Sequence, residues 1–425
     1  MQLCLLLCLV LLSPQVVSRH HLRNRVAKKK VRELPVVTPA PPGHRDFIFE
    51  LFRALVAAGP DQNIFFSPLS IAMTLGMISL GARSNTKAQI LEGLCFDFQC
   101  NPEELLHKTF HQLLQELNGP KEDLQLSLGN ALFVNPTVDI QDTFLSAMRT
   151  LYLADSFPTD FKDPEAAKKQ INDYVAKQTK GRIVDLVKKL DSDGFMVLVN
   201  YIFFKAKWQT NFDPKSTKEQ DFHVTSERVV PVPMMKREDQ YLYLVDRNLF
   251  CNVVGVPYQG NATAFFILPN EGKMGQLEAG LNKETLRKWI KMLTKSTLQL
   301  YLPKFSIEGS YQLDKVLPKL GITDIFTSDA DLTGLSNKPN IQVSEMVHKA
   351  VIEVDESGTK AAAATDVSIM FRCHSSFKKS KWTTGWKWPI TGLYHPVDEV
   401  SFMGLAGSGR MEAWRLSTED TGNYL

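Results

Sequence analysis

The segment from Glu356 to Arg372 constrains the fold of this chain more than any other, because its residues alternate in character. Every second residue from Thr359 to Ile369 is small or β-branched, and the intervening positions carry both charges. A period of two is typical of a β-strand with one buried face. The run of four alanines also fits a helix after a glycine turn, since alanine is the best helix former. The alternation favours the strand, and its small side chains suit a strand that enters a packed sheet.

The same segment ends in a bulky residue and a base, Phe371 and Arg372. A trypsin-like protease accepts arginine in an acidic specificity pocket, so this end of the segment suits such an enzyme. A protease substrate sequence is thus joined directly to a potential strand. We interpret this combination of protease bait and latent strand as a mechanism in itself.

Composition sets wide bounds on the rest. The chain has 425 residues, 44% of them hydrophobic, so it can bury a large core, and its length alone suggests two or three domains. The net charge is +3, but residues 19–34 hold seven basic residues against one acidic residue, which leaves −3 for the remainder. We interpret residues 19–45 as a basic and proline-rich tail that does not pack, with attraction to polyanions as the alternative.

The first eighteen residues predict secretion. Met1 to Ser18 contains an uncharged, leucine-rich run followed by small residues that suit signal peptidase. This run is too short to span a bilayer, and no later run is long enough for a membrane helix. We therefore expect a signal peptide over residues 1–18 and a secreted, extracellular product with no transmembrane segment.

Motifs for enzyme chemistry are missing from the sequence. It has no His-Glu-x-x-His, no phosphate-binding Walker loop and no Gly-x-Ser-x-Gly elbow. The four cysteines beyond residue 18 have neither zinc-ligand spacing nor the density of a disulfide scaffold, so we expect thiols. These four are Cys95, Cys100, Cys251 and Cys373. We expect no enzyme activity, no metal, no cofactor and no nucleic-acid partner.

Helical and strand patterns mix along the chain without a βαβ rhythm, which indicates an α+β protein. Asp46 is a predicted N-cap, and Ser70 is predicted to cap a nearly all-apolar helix. Helices are further predicted over 166–190 and 283–294. Predicted strands begin near Asn63 and cover 130–134, 197–208, 253–257, 264–268 and 298–302.

Several stretches resemble the serpin family over most of the chain. They are Asn63-Ile-Phe-Phe-Ser-Pro68, Ile171-Asn-Asp-Tyr-Val-Ala-Lys-Gln-Thr-Lys-Gly181, Phe203-Phe-Lys-Ala-Lys-Trp208, Val232-Pro-Met-Met235, Leu302-Pro-Lys-Phe305 and His348-Lys-Ala-Val351. The segment 356–372 likewise resembles a serpin hinge and reactive loop. The resemblance implies a single domain over residues 46–372, which replaces the estimate from length. It also implies three β-sheets, about nine helices, an exposed reactive loop and a monomer.

The resemblance further implies suicide inhibition of a trypsin-like serine protease. The enzyme would cleave the reactive bond, and the released loop would enter the main sheet. The implied reactive bond is Arg372–Cys373. The implied hinge and inserted residues are Glu356, Gly358, Thr359, Ala361, Ala363 and Thr365.

A helix near residues 283–295 carries a basic stripe. Four basic residues recur at intervals of four with a fifth beside them, while Leu286, Ile290 and Leu293 supply a buried face. The five are Lys283, Arg287, Lys288, Lys291 and Lys295. A solvated surface is one interpretation; like charges so close together favour an anionic partner. The serpin resemblance implies heparin or another glycosaminoglycan, acting as a modulator.

Two more residues stand out. Asn261 begins an Asn-Ala-Thr acceptor for N-glycosylation, which we expect to be used in a secreted chain. His348 is interpreted as a structural hydrogen-bonding residue near the main sheet rather than as a catalyst.

The serpin resemblance stops after Arg372. Residues 373–425 replace the expected last strands, although Phe402-Met-Gly404 is similar to part of a serpin ending. The glycines and prolines of this tail predict a poor strand former. Two function classes therefore stay open: an arginine-directed protease inhibitor, or a non-inhibitory secreted binding protein or inactive variant.

Overall fold

The structure, a computed structural model, describes residues 6–12, 46–59, 62–95, 103–118, 124–223, 229–259, 262–270, 272–359, 394–395 and 399–406. The α-helices of these ranges are α1 Phe47–Ala58, α2 Pro68–Ser79, α3 Ser84–Gly93, α4 Glu103–Asn118, α5 Asp142–Tyr152, α6 Pro164–Gln178, α7 Met274–Gly280 and α8 Lys283–Met292. Short 3-10 helices cover Pro214–Ser216, Leu313–Lys315, Leu317–Leu320 and Asp324–Phe326.

The strands alternate with these helices irregularly, which confirms the α+β class. They are β1 Leu6–Leu12, β2 Ile64–Phe65, β3 Leu124–Val134, β4 Asp155–Pro158, β5 Met196–Lys207, β6 Lys218–His223, β7 Val229–Asp246, β8 Cys251–Pro257, β9 Ala262–Pro269, β10 Thr294–Pro303, β11 Phe305–Gln312, β12 Glu345–Asp355, β13 Gly358–Thr359, β14 Tyr394–His395 and β15 Glu399–Ala406. The predicted strands at 130–134, 253–257, 264–268 and 298–302 all lie in this set, and the one at 197–208 matches β5, which ends one residue earlier, at Lys207.

These strands form two hydrogen-bonded sheets in the described ranges. The six-stranded sheet has the order β11-β12-β13-β5-β3-β4, and β12 also pairs directly with β5. The nine-stranded sheet has the order β10-β7-β8-β9-β1-β15-β14, with β2 beside β15 and β6 beside β7. The sequence led us to expect three sheets and about nine helices. The described ranges contain eight α-helices. Two sheets are found there because the long strand β7 joins strands that would otherwise form separate sheets. It pairs with β6 along its first part, with β10 along its middle and with β8 at its end.

The helix α2 lies at the centre of the larger hydrophobic core. Eleven of its twelve residues are buried, as its apolar sequence predicts, and it contacts β5, α3 and α4. The cap residue differs from the prediction. Ser67 caps the helix by accepting a hydrogen bond from the backbone N–H of Ser70, because Pro68 already begins the first turn. For α1, the predicted cap is confirmed: the Asp46 carboxylate accepts from the backbone N–H of Ile48 at 3.1 Å.

The helix predicted over 166–190 ends at Gln178 instead. Lys180 and Gly181 have φ values of 53° and 76°, in the left-handed region that a right-handed helix excludes. The chain then continues as a loop whose apolar residues pack on the six-stranded sheet in a second core beneath α6. These loop residues are Ile183, Leu186, Val187 and Leu190. The spacing of these apolar residues led to the prediction of a longer helix, because a loop that buries one side can show a similar apolar pattern.

The C-terminal region contributes to the nine-stranded sheet. Residues 399–406 form β15, which pairs with β2 at Gly404↔Phe65 and Leu405↔Ile64 and with β1 from Val400 to Ala406. The prediction that the glycines of this tail oppose strand formation is wrong for these residues. Backbone pairing on both sides stabilises the strand in spite of its composition, since β propensity depends strongly on context.

The strand β1 is formed by Leu6–Leu12, within the predicted signal peptide. It lies between β9 and β15 and pairs antiparallel with both. No helix in the described ranges combines the length and the apolar character needed to cross a membrane.

We predict that deleting residues 399–425 lowers the yield of soluble protein, because it removes the hydrogen-bonded neighbour of β2 and, while residues 1–18 are present, of β1. Deleting only residues 407–425, which leaves β15 in place, is the matched control and should retain more soluble protein. The yields are compared by expression and size-exclusion chromatography. Equal yields of the two deletions would show that β15 contributes nothing to folding.

Candidate functional site

The central feature of the six-stranded sheet is the boundary between β5 and β12, which we call the seam. The two strands pair in parallel from Glu345↔Val197 to Val351↔Phe203. Beyond Val351 they no longer pair with each other, and the two-residue strand β13 lies between them. The seam is thus closed along most of its length and open at one end.

The strand β13 is antiparallel to both of its neighbours. Gly358 is opposite Asp355 on β12 and Lys207 on β5, and Thr359 is opposite Val354 and Ala206. The glycine fits this position for two reasons. Its φ is +137°, and a Cβ built there would lie 2.1 Å from the Ala206 carbonyl oxygen.

Two hydrogen bonds from Trp208, one from its indole and one from its backbone, fix the turn that precedes β13. The Trp208 indole N–H donates to the Asp355 carbonyl oxygen at 2.9 Å, and its backbone N–H donates to the Ser357 carbonyl oxygen at 3.1 Å. The Trp208 ring is fully buried and stacks on Tyr258 with 4.4 Å between the ring centroids. The buried Trp208 side chain therefore holds the turn in place at the open end of the seam.

Glu356 in this turn is held by its side chain as well. Its carboxylate accepts from the Thr217 hydroxyl at 2.8 Å and from the Lys304 ammonium group at 3.0 Å. Burial raises the pKa of Glu356, but hydrogen bonds from its own backbone N–H, Lys304 and Thr217 outweigh burial and bring the pKa below its usual value. The group is therefore an anion at neutral pH and links the turn to Lys304, the residue between β10 and β11.

A row of buried polar residues crosses the seam further down. Asn130 on β3, Asn200 on β5 and His348 on β12 lie directly opposite one another in the sheet. All three are at most 1% exposed. The Asn200 amide nitrogen donates to the Asn130 side-chain oxygen at 2.7 Å, and the Asn200 side-chain oxygen contacts His348 Nδ1 at 2.5 Å.

The helix α2 fixes the protonation of His348. The His348 Nε2 atom accepts a hydrogen bond from the backbone N–H of Ser67, the cap residue of α2, at 3.1 Å. The ring proton therefore lies on Nδ1 and is donated to the side-chain oxygen of Asn200. Complete burial lowers the pKa of His348 to about 3, so the ring is neutral at physiological pH. The histidine is a structural hydrogen-bonding residue, as its sequence context indicated, and its bond to Asn200 spans the seam.

A second contact holds the outer face of the seam. The buried Lys349 ammonium group on β12 donates to the Val184 carbonyl oxygen at 2.8 Å and pairs with Glu308 at 2.7 Å. Val184 belongs to the loop that follows α6. Apolar residues of the same loop share a core cluster with Val199 of β5 and Val347 of β12, so the loop covers both strands at the closed part of the seam.

The basic stripe is shorter than predicted. The helix α8 ends at Met292, and Leu293 adopts an extended backbone, so Lys295 lies on β10 opposite Leu242 rather than on the helix. Arg287, Lys288 and Lys291 are exposed, and Lys283 is half-buried. The buried face consists of Leu286 and Trp289; Trp289 was not predicted, and Ile290 and Leu293 are only half-buried.

Several predicted site residues lie outside the described ranges. They are Ala361, Ala363, Thr365, Arg372, Cys373 and Asn261. Among the predicted residues that are described, Glu356, Gly358 and Thr359 meet at the open end of the seam. The helix α8 carries four of the five predicted heparin-binding residues, Lys283, Arg287, Lys288 and Lys291.

Asn130 and Asn200 were not predicted as functional residues from the sequence. Each is a single polar residue inside an otherwise apolar strand, and this is the signal that could have identified them. A buried amide needs hydrogen-bond partners, so such a residue indicates a specific contact in the core.

Comparison with known proteins gives consistent matches. The family model described as Serpin (serine protease inhibitor) matches residues 42–382. The plasma serine protease inhibitors of Homo sapiens and Bos taurus are each 68% identical over 373 residues, which cover 88% of this chain and 92% and 91% of theirs. Human thyroxine-binding globulin matches with a TM-score of 0.76 and 38% identity, covering 84% of this chain and 95% of its own. Human glycosylated kallistatin matches with a TM-score of 0.75 and 39% identity, covering 85% of this chain and 96% of its own.

We predict that Gly358→Ala displaces β13, because the added methyl group collides with the backbone of β5. Amide hydrogen exchange should become faster at residues 204–208 and 353–359. Gly181→Ala is the matched control, since Gly181 also has a positive φ but has open space around its Cβ position. Unchanged exchange in Gly358→Ala would show that β13 does not depend on this glycine.

We also predict an acid-sensitive stability that depends on His348. Its pKa is lower in the folded chain than the ordinary value of 6.5, so the unfolded chain binds the proton first. Stability from the neutral ring is complete above pH 6.5 and falls as the pH decreases toward 3, by at most about 1.4 kcal/mol per pH unit.

Urea unfolding of the parent and of His348→Gln between pH 7 and pH 4.5 measures this difference. The parent should lose more stability than the variant over this interval. Parallel pH dependences of the two proteins would contradict the assigned role.

Proposed function

This chain belongs to the serpin family of serine protease inhibitors, and we propose that it inhibits trypsin-like proteases through cleavage after Arg372. The observation that supports this most is the position of β13. Gly358 and Thr359 lie between β5 and β12, immediately before the alternating segment of the sequence. A chain that continued antiparallel from Thr359 would enter the closed part of the seam.

The alternation defines which residues of the loop would be buried. Side chains two residues apart point to the same face of a strand, so Ala361, Ala363 and Thr365 would follow Thr359 on one face. Their small size suits a strand that must fit into a sheet whose neighbours are already packed. Lys360 and Asp366 would lie on the opposite face.

The chemistry belongs to the protease. Its serine attacks the Arg372 carbonyl carbon, the peptide bond to Cys373 breaks, and the amine of Cys373 leaves with a proton while Arg372 stays bound as an ester. The freed loop then enters the seam and carries the acylated protease with it. Movement of the protease away from the loop's starting position distorts its active site before water completes hydrolysis.

Opening the seam has a definite cost in contacts. The direct pairing of β5 with β12 must separate, and with it the hydrogen bond from His348 to Asn200. The loop held by Lys349 lies across the same boundary. In return, the inserted strand gains backbone hydrogen bonds on both sides, each worth about 1 kcal/mol net.

We propose that the protein is secreted as a monomer and that residues 1–18 are removed on export. Removal would also take away β1 and leave the position between β9 and β15 open in the processed chain. Glycosylation of Asn261 is part of this proposal.

We further propose that α8 binds heparin or a related glycosaminoglycan. Arg287, Lys288 and Lys291 are exposed on one helix, where sulfate groups can approach them together. The position of Lys295 on β10 extends the basic surface beyond the end of the helix rather than along it.

A second candidate function is binding without inhibition. It is favoured by the atypical segment after Arg372 and by the structural similarity to thyroxine-binding globulin. Incubation of the purified chain with trypsin separates the two functions. Inhibition gives a complex that survives SDS electrophoresis, whereas a non-inhibitory protein is cleaved without trapping the enzyme.

We predict that Arg372→Leu abolishes the complex with trypsin and favours one with chymotrypsin, because leucine cannot pair with the acidic pocket. Arg372→Lys, which keeps the charge, is the control and should retain trypsin inhibition. Complexes are quantified by SDS electrophoresis. Trypsin inhibition by Arg372→Leu at the parent rate would refute cleavage after Arg372.

We predict that replacing Arg287, Lys288 and Lys291 by glutamine lowers the salt concentration at which the chain elutes from heparin, because fewer counterions are released on binding. The matched control replaces three exposed lysines elsewhere, Lys162, Lys177 and Lys180. Equal elution shifts for the two triple variants would show that net charge, rather than α8, determines binding.

A further inference from the structure

A buried carboxylate lies beneath the basic helix α8. Asp246, the last residue of β7, is 5% exposed. Its Oδ2 accepts from the Trp289 indole N–H at 2.7 Å, and its Oδ1 accepts from the backbone N–H groups of Asn248 and Leu249 at 2.8 and 3.1 Å. These bonds fix the last turn of α8 to the connection between β7 and β8.

The same carboxylate pairs with one base of the stripe. The Lys288 ammonium nitrogen lies 3.4 Å from Asp246 Oδ2, and the two side chains are 44% and 3% exposed. Among the described residues, Arg287 and Lys291 form no ion pair. Lys288 is therefore the exposed base of α8 whose charge is already partly balanced from inside the protein.

Burial raises the pKa of Asp246, and the hydrogen bonds from Trp289, Leu249 and Asn248, together with the charge of Lys288, outweigh burial and lower the pKa below its usual value. The negative charge is thus permanent at neutral pH. It also adds to burial in raising the pKa of the neighbouring Cys251 thiol, which reaches about 12.

Lys288 can leave this pair without exposing an unsatisfied group. The three N–H donors from Trp289, Asn248 and Leu249 remain on the carboxylate when the ammonium group moves away. The lysine side chain is 44% exposed, and its ammonium nitrogen lies 3.4 Å from the carboxylate oxygen, beyond the usual range of about 2.7–3.2 Å for an N–H···O hydrogen bond, so the contact is a loose one. A sulfate group of an approaching polysaccharide can therefore compete with Asp246 for Lys288.

We propose that Asp246 tunes the affinity of α8 for sulfated polysaccharide by acting as an internal counterion of Lys288. This inference rests on the proposed heparin site. In the free protein the carboxylate holds Lys288, and in the complex its negative charge remains beneath the bound polyanion and opposes it. Asp246 is thus a positioning residue for α8 through Trp289 and a negative regulator of binding through its charge.

The test is the heparin dissociation constant of the full chain, measured across a series of NaCl concentrations. Asp246→Asn removes the charge and keeps one side-chain oxygen, which can accept either from Trp289 or from the backbone N–H groups of Asn248 and Leu249, but not from both sides. We expect tighter binding and a steeper dependence of log Kd on log salt, by up to about 0.9, the value per charge for double-stranded DNA. An unchanged or shallower slope, with thermal unfolding equal to that of the parent, would overturn the proposal.

Substitutions of the lysines provide a test that leaves Asp246 and its core contacts intact. Lys288→Gln should weaken binding less than Lys291→Gln, because the Lys288 charge is already partly balanced. In the Asp246→Asn background the two substitutions should become equal, and a double-mutant cycle should give coupling for Asp246 with Lys288 but none with Lys291.

Two results contradict different parts of the account. Equal weakening by Lys288→Gln and Lys291→Gln in the parent would overturn the counterion role while leaving the heparin site on α8 in place. No weakening by either substitution would overturn the heparin site itself and this inference with it.

Discussion

The structure depends on one incomplete contact, the seam between β5 and β12. Two neighbouring strands of a sheet normally pair over their whole length, and here they pair only from Glu345↔Val197 to Val351↔Phe203. Above that point Gly358 and Thr359 already occupy the place of an additional strand. In the proposed insertion the sheet exchanges one parallel ladder for two antiparallel ladders, and the closed part of the seam is the barrier to that exchange.

The residues around the seam divide into those that guide the loop and those that hold the strands together. Trp208 and Glu356 fix the turn from which the loop would start. His348 bonds across the closed part to Asn200. Burial makes this bond both strong and selective, because an amide or imidazole without a partner in the core is costly. The same buried polar row can therefore stabilise the native sheet and delay its opening.

The sequence predicted much of this arrangement, and its failures have identifiable causes. The alternation after Thr359 and the need for glycine at Gly358 are local properties, and β13 is consistent with both. Lys295 was placed on the wrong element because pairing of β10 with β7, a tertiary contact, ends α8 at Met292. The polar row was missed because its members are far apart in the chain: Asn130 and Asn200 are separated by 70 residues, and Asn200 and His348 by 148.

The most direct test of the central claim is the thermal unfolding of the chain before and after its 356–372 segment is cleaved. If the seam accepts the freed loop, the cleaved protein gains backbone hydrogen bonds on both sides of a new central strand, and its Tm should rise above that of the intact protein. A Tm that stays the same or falls on cleavage would contradict insertion and leave the seam as a static feature of the sheet.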